Sequence, residues 1–141
     1  MKTRLFLDTN IIFDLLLERF PFYNAAAKIA TLSDKGKITM VVSALSYATT
    51  NYFLCKHEKS TEGAKNKLRK FKVISEISDL DALTIEKGLN SKFSDFEDSL
   101  QYFSALKSEC SIIITRNGKD FKHSLLPVMT PEEYLASIKK Q

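Results

Sequence analysis

Apolar and polar positions along this chain alternate between strand-like runs and helical stripes. Thr3–Leu7 (TRLFL) is a short apolar run ending at Asp8. Residues 10–17 carry apolar side chains at 11, 12, 15 and 16, a stripe of helical period that Pro21 breaks. Alanine-rich Tyr23–Asp34 predicts a second helix closed by Gly36, and Ile38–Ser43 (ITMVVS) a buried β-branched strand. Helices are expected over 44–56 and 61–72, a strand over 73–78 and a helix over 79–89. Ser94-Asp95-Phe96-Glu97 and Thr130-Pro131-Glu132-Glu133 both have the form of a capping box, the second with proline in the first turn. Between them, residues 111–115 (SIIIT) form the continuous apolar run of a strand buried on both faces. Val128–Met129 reads as a last short strand.

Strands alternating with helices predict an α/β domain, spanning 1–141, with a mostly parallel sheet. Such sheets place their sites at the carboxyl ends of the strands. Hydrophobic residues at 44% and charged residues at 27% exclude a disordered chain or a membrane protein. The N-terminus runs straight into a strand, so no secretory signal is expected. Two cysteines, Cys55 and Cys110, and two histidines argue against a disulfide framework or a structural zinc, and fit a reducing, cytoplasmic setting. The formal charge of +4 is local: residues 56–72 carry seven basic side chains against Glu58 and Glu62. The remainder is slightly acidic, so the charge alone says little about a nucleic-acid partner.

The acids carry the chemistry. Asp8 ends the first strand, Asp95, Glu97 and Asp98 open a helix, and Asp120 follows the 111–115 strand. Ends of parallel strands converge, and carboxylates without histidine or cysteine suit hard cations, Mg²⁺ or Mn²⁺. Each acid also has a plain structural reading. Asp95 and Glu97 suit a helix macrodipole, Asp8 an N-cap, Asp14 an ordinary helical position, and Asp120 a loop cap or an ion pair. Asp98 lies off the stripe of Phe96, Leu100, Phe103 and Leu106 expected to face the core, which leaves it free to face a crevice.

Four blocks now fall in order: Leu7-Asp8-Thr9-Asn10-Ile11-Ile12, Val42-Ser43-Ala44-Leu45-Ser46, Asp95-Phe96-Glu97-Asp98 and Ile114-Thr115-Arg116-Asn117-Gly118-Lys119-Asp120-Phe121. Together, over about residues 2–136, they resemble a PIN domain. The resemblance implies a three-layer α/β/α sandwich and Mg²⁺- or Mn²⁺-dependent cleavage of RNA. It also points to the VapC-like toxins of bacterial toxin–antitoxin pairs, with an antitoxin protein as partner. Carried over by position, Asp8 and Asp98 would be the principal metal ligands, and Asn117 with Asp120 would stand at the last acidic position. Thr9 and Ser43 would match small polar positions near the scissile phosphate. Where the family usually has a glutamate, this chain has Thr49, and no acid lies between Asp34 and Glu58 to replace it. The site is then one carboxylate short, with Asp95 or Asp120 as candidate compensation. The alternative function is a catalytically impaired RNA- or protein-binding domain of the same fold. Receiver domains and haloacid-dehalogenase-like phosphatases fit less well: the second strand ends in Ser43 rather than a phosphoacceptor aspartate, and no second aspartate stands two residues after Asp8.

Arg116 and Lys119 beside the site are candidate phosphate contacts. Lys65, Lys67 and Lys70 flank the apolar stripe of Ala64, Leu68 and Phe71, either as a solvated face or as an RNA-tracking surface. Phe13, Phe53, Phe96 and Phe103 fall on apolar stripes and are expected in the core. Phe20, Phe22, Tyr23, Tyr47 and Tyr52 cluster around the early helices, where exposure would mark a surface for an antitoxin or a second copy in a homodimer.

Overall fold

The computed structural model describes residues 2–139. Strands β1 (Thr3–Leu7), β2 (Ile38–Ser43), β3 (Ser75–Ser78), β4 (Ile112–Ile114) and β5 (Val128–Met129) form one sheet in the order β3-β2-β1-β4-β5. Every pairing is parallel. The helices are α1 (Thr9–Leu16), α2 (Tyr23–Asp34), α3 (Ala44–Glu58), α4 (Thr61–Val73), α5 (Ala82–Leu89), α6 (Phe96–Lys107) and α7 (Pro131–Lys139), with a 3-10 turn at Gly118–Phe121. Among the described residues no helix is long and apolar enough to cross a membrane.

The three layers follow from strand pleating. Leu5, Leu7, Met40, Val42 and Ile114 point to one side, where they meet Ile11 and Ile12 of α1, Ile29 of α2 and Phe71 of α4. Phe6, Val41 and Ile113 point to the other, against Tyr102 and Ala105 of α6 and Phe121 of the 3-10 turn. With both faces covered, the strands read as continuous apolar runs.

Chain order positions the site. From central β1 the chain steps outward to β2 and β3, then returns to β4 on the opposite side of β1. That reversal opens a crevice beyond the carboxyl ends of β1 and β4. The register pairs Leu7 with Ile114, and the Asp8 amide donates to the Ile114 carbonyl at 3.0 Å. Asp8 and Thr115 therefore leave the sheet side by side.

The helix ends show which local signals were sufficient. Gly36, at φ +74°, closes α2: its amide donates to the Ser33 carbonyl and that of Lys37 to the Leu32 carbonyl. The Thr130 box forms reciprocally, with the Glu133 amide on Thr130 Oγ1 at 3.1 Å and the Thr130 amide on Glu133 Oε1 at 2.9 Å. At α6 the cap is Asp95, not Ser94. Helical geometry begins at Phe96, so it is Asp95 that sits three residues before an orphan amide, that of Asp98 at 3.0 Å.

The core stripe expected on α6 is also shifted. Phe96 and Leu106 are exposed, whereas Ser99, Leu100, Gln101, Tyr102, Ser104 and Ala105 are buried. Small side chains face inward because α6 is wedged between the sheet and α5, where a Cβ at Gly88 would lie 2.7 Å from Ser99 Oγ. Of the phenylalanines expected in the core, Phe53 and Phe96 are exposed and Phe13 and Phe103 half-buried. The buried phenylalanines among the described residues are Phe6, Phe71 and Phe121.

Candidate metal centre

At the crevice lies a pocket of about 250 Å³. Asp8, Thr9, Asn10 and Phe13 line it from the start of α1, and Thr49 from α3. Glu97, Asp98 and Gln101 enter from α6, and Asn117 and Asp120 from the segment after β4. Four carboxylates share this lining, and no lysine, arginine or histidine does.

Asp8 is buried and held from several sides. It is the N-cap of α1, with the Thr9 amide on Oδ1 at 2.8 Å. Thr115 Oγ1 donates to Oδ2 at 2.8 Å, joined by Asn10 Nδ2 at 3.3 Å. From α6, Gln101 Nε2 reaches Oδ1 at 3.5 Å and also donates to Thr9 Oγ1 and Ser46 Oγ, both at 2.9 Å. Burial nevertheless wins over these donors. It raises the Asp8 carboxyl above its usual range, and the charge of Asp120 pushes the same way.

Asp98, one turn before Gln101 on the same face of α6, is pushed up to about 7. Burial is the largest cause, followed by repulsion from Asp95, Asp8, Asp120 and Glu97. Repulsion among carboxylates of this kind is what a cation relieves, and oxygen donors alone suit a hard divalent ion. Among the described residues no three acidic, histidine or cysteine side chains converge closely enough to hold an ion by themselves. The fit is therefore to an ion held by one or two carboxylates with water completing its shell, the usual habit of Mg²⁺.

Other expected residues lie elsewhere or are engaged. Ser43 is fully buried and caps α3, accepting from the Leu45 amide at 3.1 Å. Asp95 contributes through its charge and its cap rather than by lining the pocket. Arg116 is bound to buried Asp14, through Nε at 2.6 Å and Nη2 at 3.2 Å, and lies 4.0 Å over the Phe22 ring. Lys119 is exposed on the 3-10 turn beside Asp120. Lys65, Lys67 and Lys70 do not reach the pocket. Lys67 pairs with Glu58 at 2.7 Å, and with Lys70 it borders a separate apolar groove floored by Leu15, Leu16, Ala30, Phe71 and Ile74. Thr49 lines the pocket, but its hydroxyl donates to the Leu45 carbonyl at 3.2 Å.

Asn10, Ser46 and Thr115 lie in the motif blocks without an assigned role, and Gln101 lies outside them; together they hold Asp8 and Thr9. Spacing could have found Gln101, because residues i and i+3 share a helix face and Asp98 was already a candidate.

The sequence profile of the PIN domain family matches residues 4–119. Ribonuclease VapC1 of Aquifex aeolicus (strain VF5) is 28% identical over 136 residues, covering 93% of this chain and 92% of that protein. Among solved structures, VapBC2 of Rickettsia felis, bound to a DNA fragment from its promoter, has a chain that superposes with a TM-score of 0.67. It is 21% identical, over 90% of this chain and 97% of that one. A toxin–antitoxin complex from Klebsiella pneumoniae gives a TM-score of 0.68 at 20% identity, with the same coverage of each chain.

Proposed function

This chain belongs to the PIN domain family, and from that premise we propose that it is an Mg²⁺- or Mn²⁺-dependent ribonuclease, the toxin of a VapBC-like pair. The observation that carries the reading is the pocket at the β1–β4 reversal, which Asp8, Glu97, Asp98 and Asp120 line without a basic side chain. The similarity to a protein named a ribonuclease supports the substrate, and that to a toxin–antitoxin complex supports the biological pairing.

Asp8 and Asp98 are the residues assigned to hold the ion; Asp120 and Asn117, from the segment after β4, line the same pocket and would face the water that completes its shell. A bound divalent cation supplies an activated water and neutralises charge on the phosphodiester. The chain's own work is orientation. Thr115, the Thr9 amide and Gln101 fix both Asp8 oxygens, and the Asp95 cap fixes the first turn of α6 that carries Asp98. Lys119 is the cation assigned to the substrate phosphate, since Arg116 is already paired. The groove bordered by Lys67 and Lys70 suits an acidic amphipathic segment of the antitoxin.

Asp8→Asn can keep the cap through one oxygen, but it removes the charge and replaces the acceptor facing Thr115 and Asn10 with a donor. It should abolish Mn²⁺-dependent RNA cleavage, as should Asp98→Asn. Undiminished cleavage by both variants sinks the proposal, and a wild-type protein that binds RNA without cutting it points to the impaired binding domain instead.

A further inference from the structure

Thr49, Tyr52, Phe53 and Lys56 occupy positions i, i+3, i+4 and i+7 of α3, one stripe that starts in the acidic pocket and runs about 10 Å away from it. Ser46, Thr50 and Leu54 bury the adjoining face of the helix, and Tyr52, Phe53 and Lys56 stand exposed beside it. Tyr52 is 57% exposed and Phe53 43%. Their rings are not isolated. Phe53 meets Phe13, itself in the pocket wall, edge-on at 5.1 Å, and Tyr52 meets Phe53 at 5.3 Å. Lys56 Nζ lies 4.4 Å over the Tyr52 ring and pairs with no carboxylate among the described residues. No acid occurs on α3 between Ser43 and Lys56, so this wall of an otherwise acidic pocket repels no phosphate.

We propose that Phe13, Phe53 and Tyr52 form a stacking subsite for unpaired nucleotides next to the scissile phosphate, with Lys56 contacting the backbone beyond them. The inference rests on the nuclease reading and deepens it by naming the residues that would seat the strand beside the reacting phosphate. Rings interleaved with a cation that pairs with no carboxylate, along a path into the reaction pocket, are the usual means of holding a single strand. Bases in a duplex are stacked on one another and offer no open face, so paired RNA gains nothing here. A second copy of the chain would have to bury the Lys56 ammonium, a group depleted from the cores of protein interfaces, which favours the nucleic acid as occupant.

The test is fluorescence anisotropy with a short single-stranded RNA and an RNA duplex, in EDTA so that neither is cut. The wild type should prefer the single strand. Tyr52→Ala with Phe53→Ala should weaken that binding about tenfold or more while duplex binding hardly changes. Tyr52→Phe with Phe53→Tyr should retain it, and Tyr52→Leu with Phe53→Leu should not, although it keeps the apolar surface. Circular dichroism checks that each variant folds. Equal affinity of the alanine and wild-type proteins for the single strand overturns the subsite. So does a wild-type dimer in sedimentation that the alanine pair converts to monomer, which assigns the face to a second copy. Mn²⁺-dependent cleavage, with Asp8→Asn as control, is scored separately. Cleavage insensitive to Tyr52 and Phe53 removes the subsite and leaves the nuclease, whereas ring-dependent binding without cleavage does the reverse.

Discussion

Asp98 titrates near 7 because burial and four neighbouring acids disfavour its charge. That has a consequence for the protein without metal. Its carboxyl binds a proton more tightly folded than unfolded, so the fold gains from Asp98 below about pH 4, and the gain is lost as pH rises towards 7. Solvent reaches the side chain, so screening reduces the effect to about 1 kcal/mol. In EDTA, the melting temperature should fall between about pH 4.5 and 7.5. Asp98→Asn should flatten that slope and raise the melting temperature at the upper end. An unchanged slope means that the acids do not repel one another as the geometry implies. Mn²⁺ should stabilise the wild type at neutral pH, and stabilise Asp98→Asn less.

Among the elements, α6 does most to assemble the site. It brings Asp98 and Gln101 to Asp8 and is itself seated by its contact with α5. That contact depends on Gly88, whose missing side chain leaves room for Ser99, Leu100 and Phe96. Gly88→Ala would place a methyl group 2.7 Å from Ser99 Oγ and 3.0 Å from Leu100 Cδ2. Despite alanine's better helix propensity, overpacking should destabilise the protein by about 1–3 kcal/mol, read from urea midpoints. A stabilised variant would show that α5 can retreat. Helix starts were partly legible. The Thr130 box was readable because both partners lie within four residues. The α6 cap was displaced by one residue because Ser94 and Asp95 are both good caps, and backbone geometry alone chose between them. The inward face of α6 was misread for a related reason. Apolar spacing marks one core stripe, but a helix wedged between two layers buries small and polar residues, Ser99, Gln101, Ser104 and Ala105, beside Leu100 and Tyr102.

Across the whole molecule, one buried ion network ties distant segments together. Asp14 is 1% exposed, and it is met by Arg116 from the end of β4 and by Arg19, at 3.2 Å, from the turn after α1. Arg116 thus works as a clamp across 102 positions of sequence. Arg116→Ala should cost about 2 kcal/mol in thermal or urea unfolding, since Arg19 alone then faces a buried charge. Adding Asp14→Asn should recover part of that loss. If Arg116→Ala leaves stability intact but weakens RNA binding, the arginine serves the phosphate after all.

The sequence by itself determined the order and type of nearly every element, the parallel sheet and the strand end that carries Asp8. Those properties follow from local periodicity and from runs too apolar to leave a sheet face in water. It also exposed the neutral residue at Thr49. Only the tertiary structure decided which polar residues serve the site. Gln101, Thr115 and Ser46 hold Asp8 and Thr9 because strand register and the seating of α6 bring them within hydrogen-bond reach. Arg116 lies equally near in sequence but is claimed by Asp14. The aromatic stripe of α3 is exposed for the same reason, since the sheet and α4 take the other face of that helix and leave these rings beside the acids.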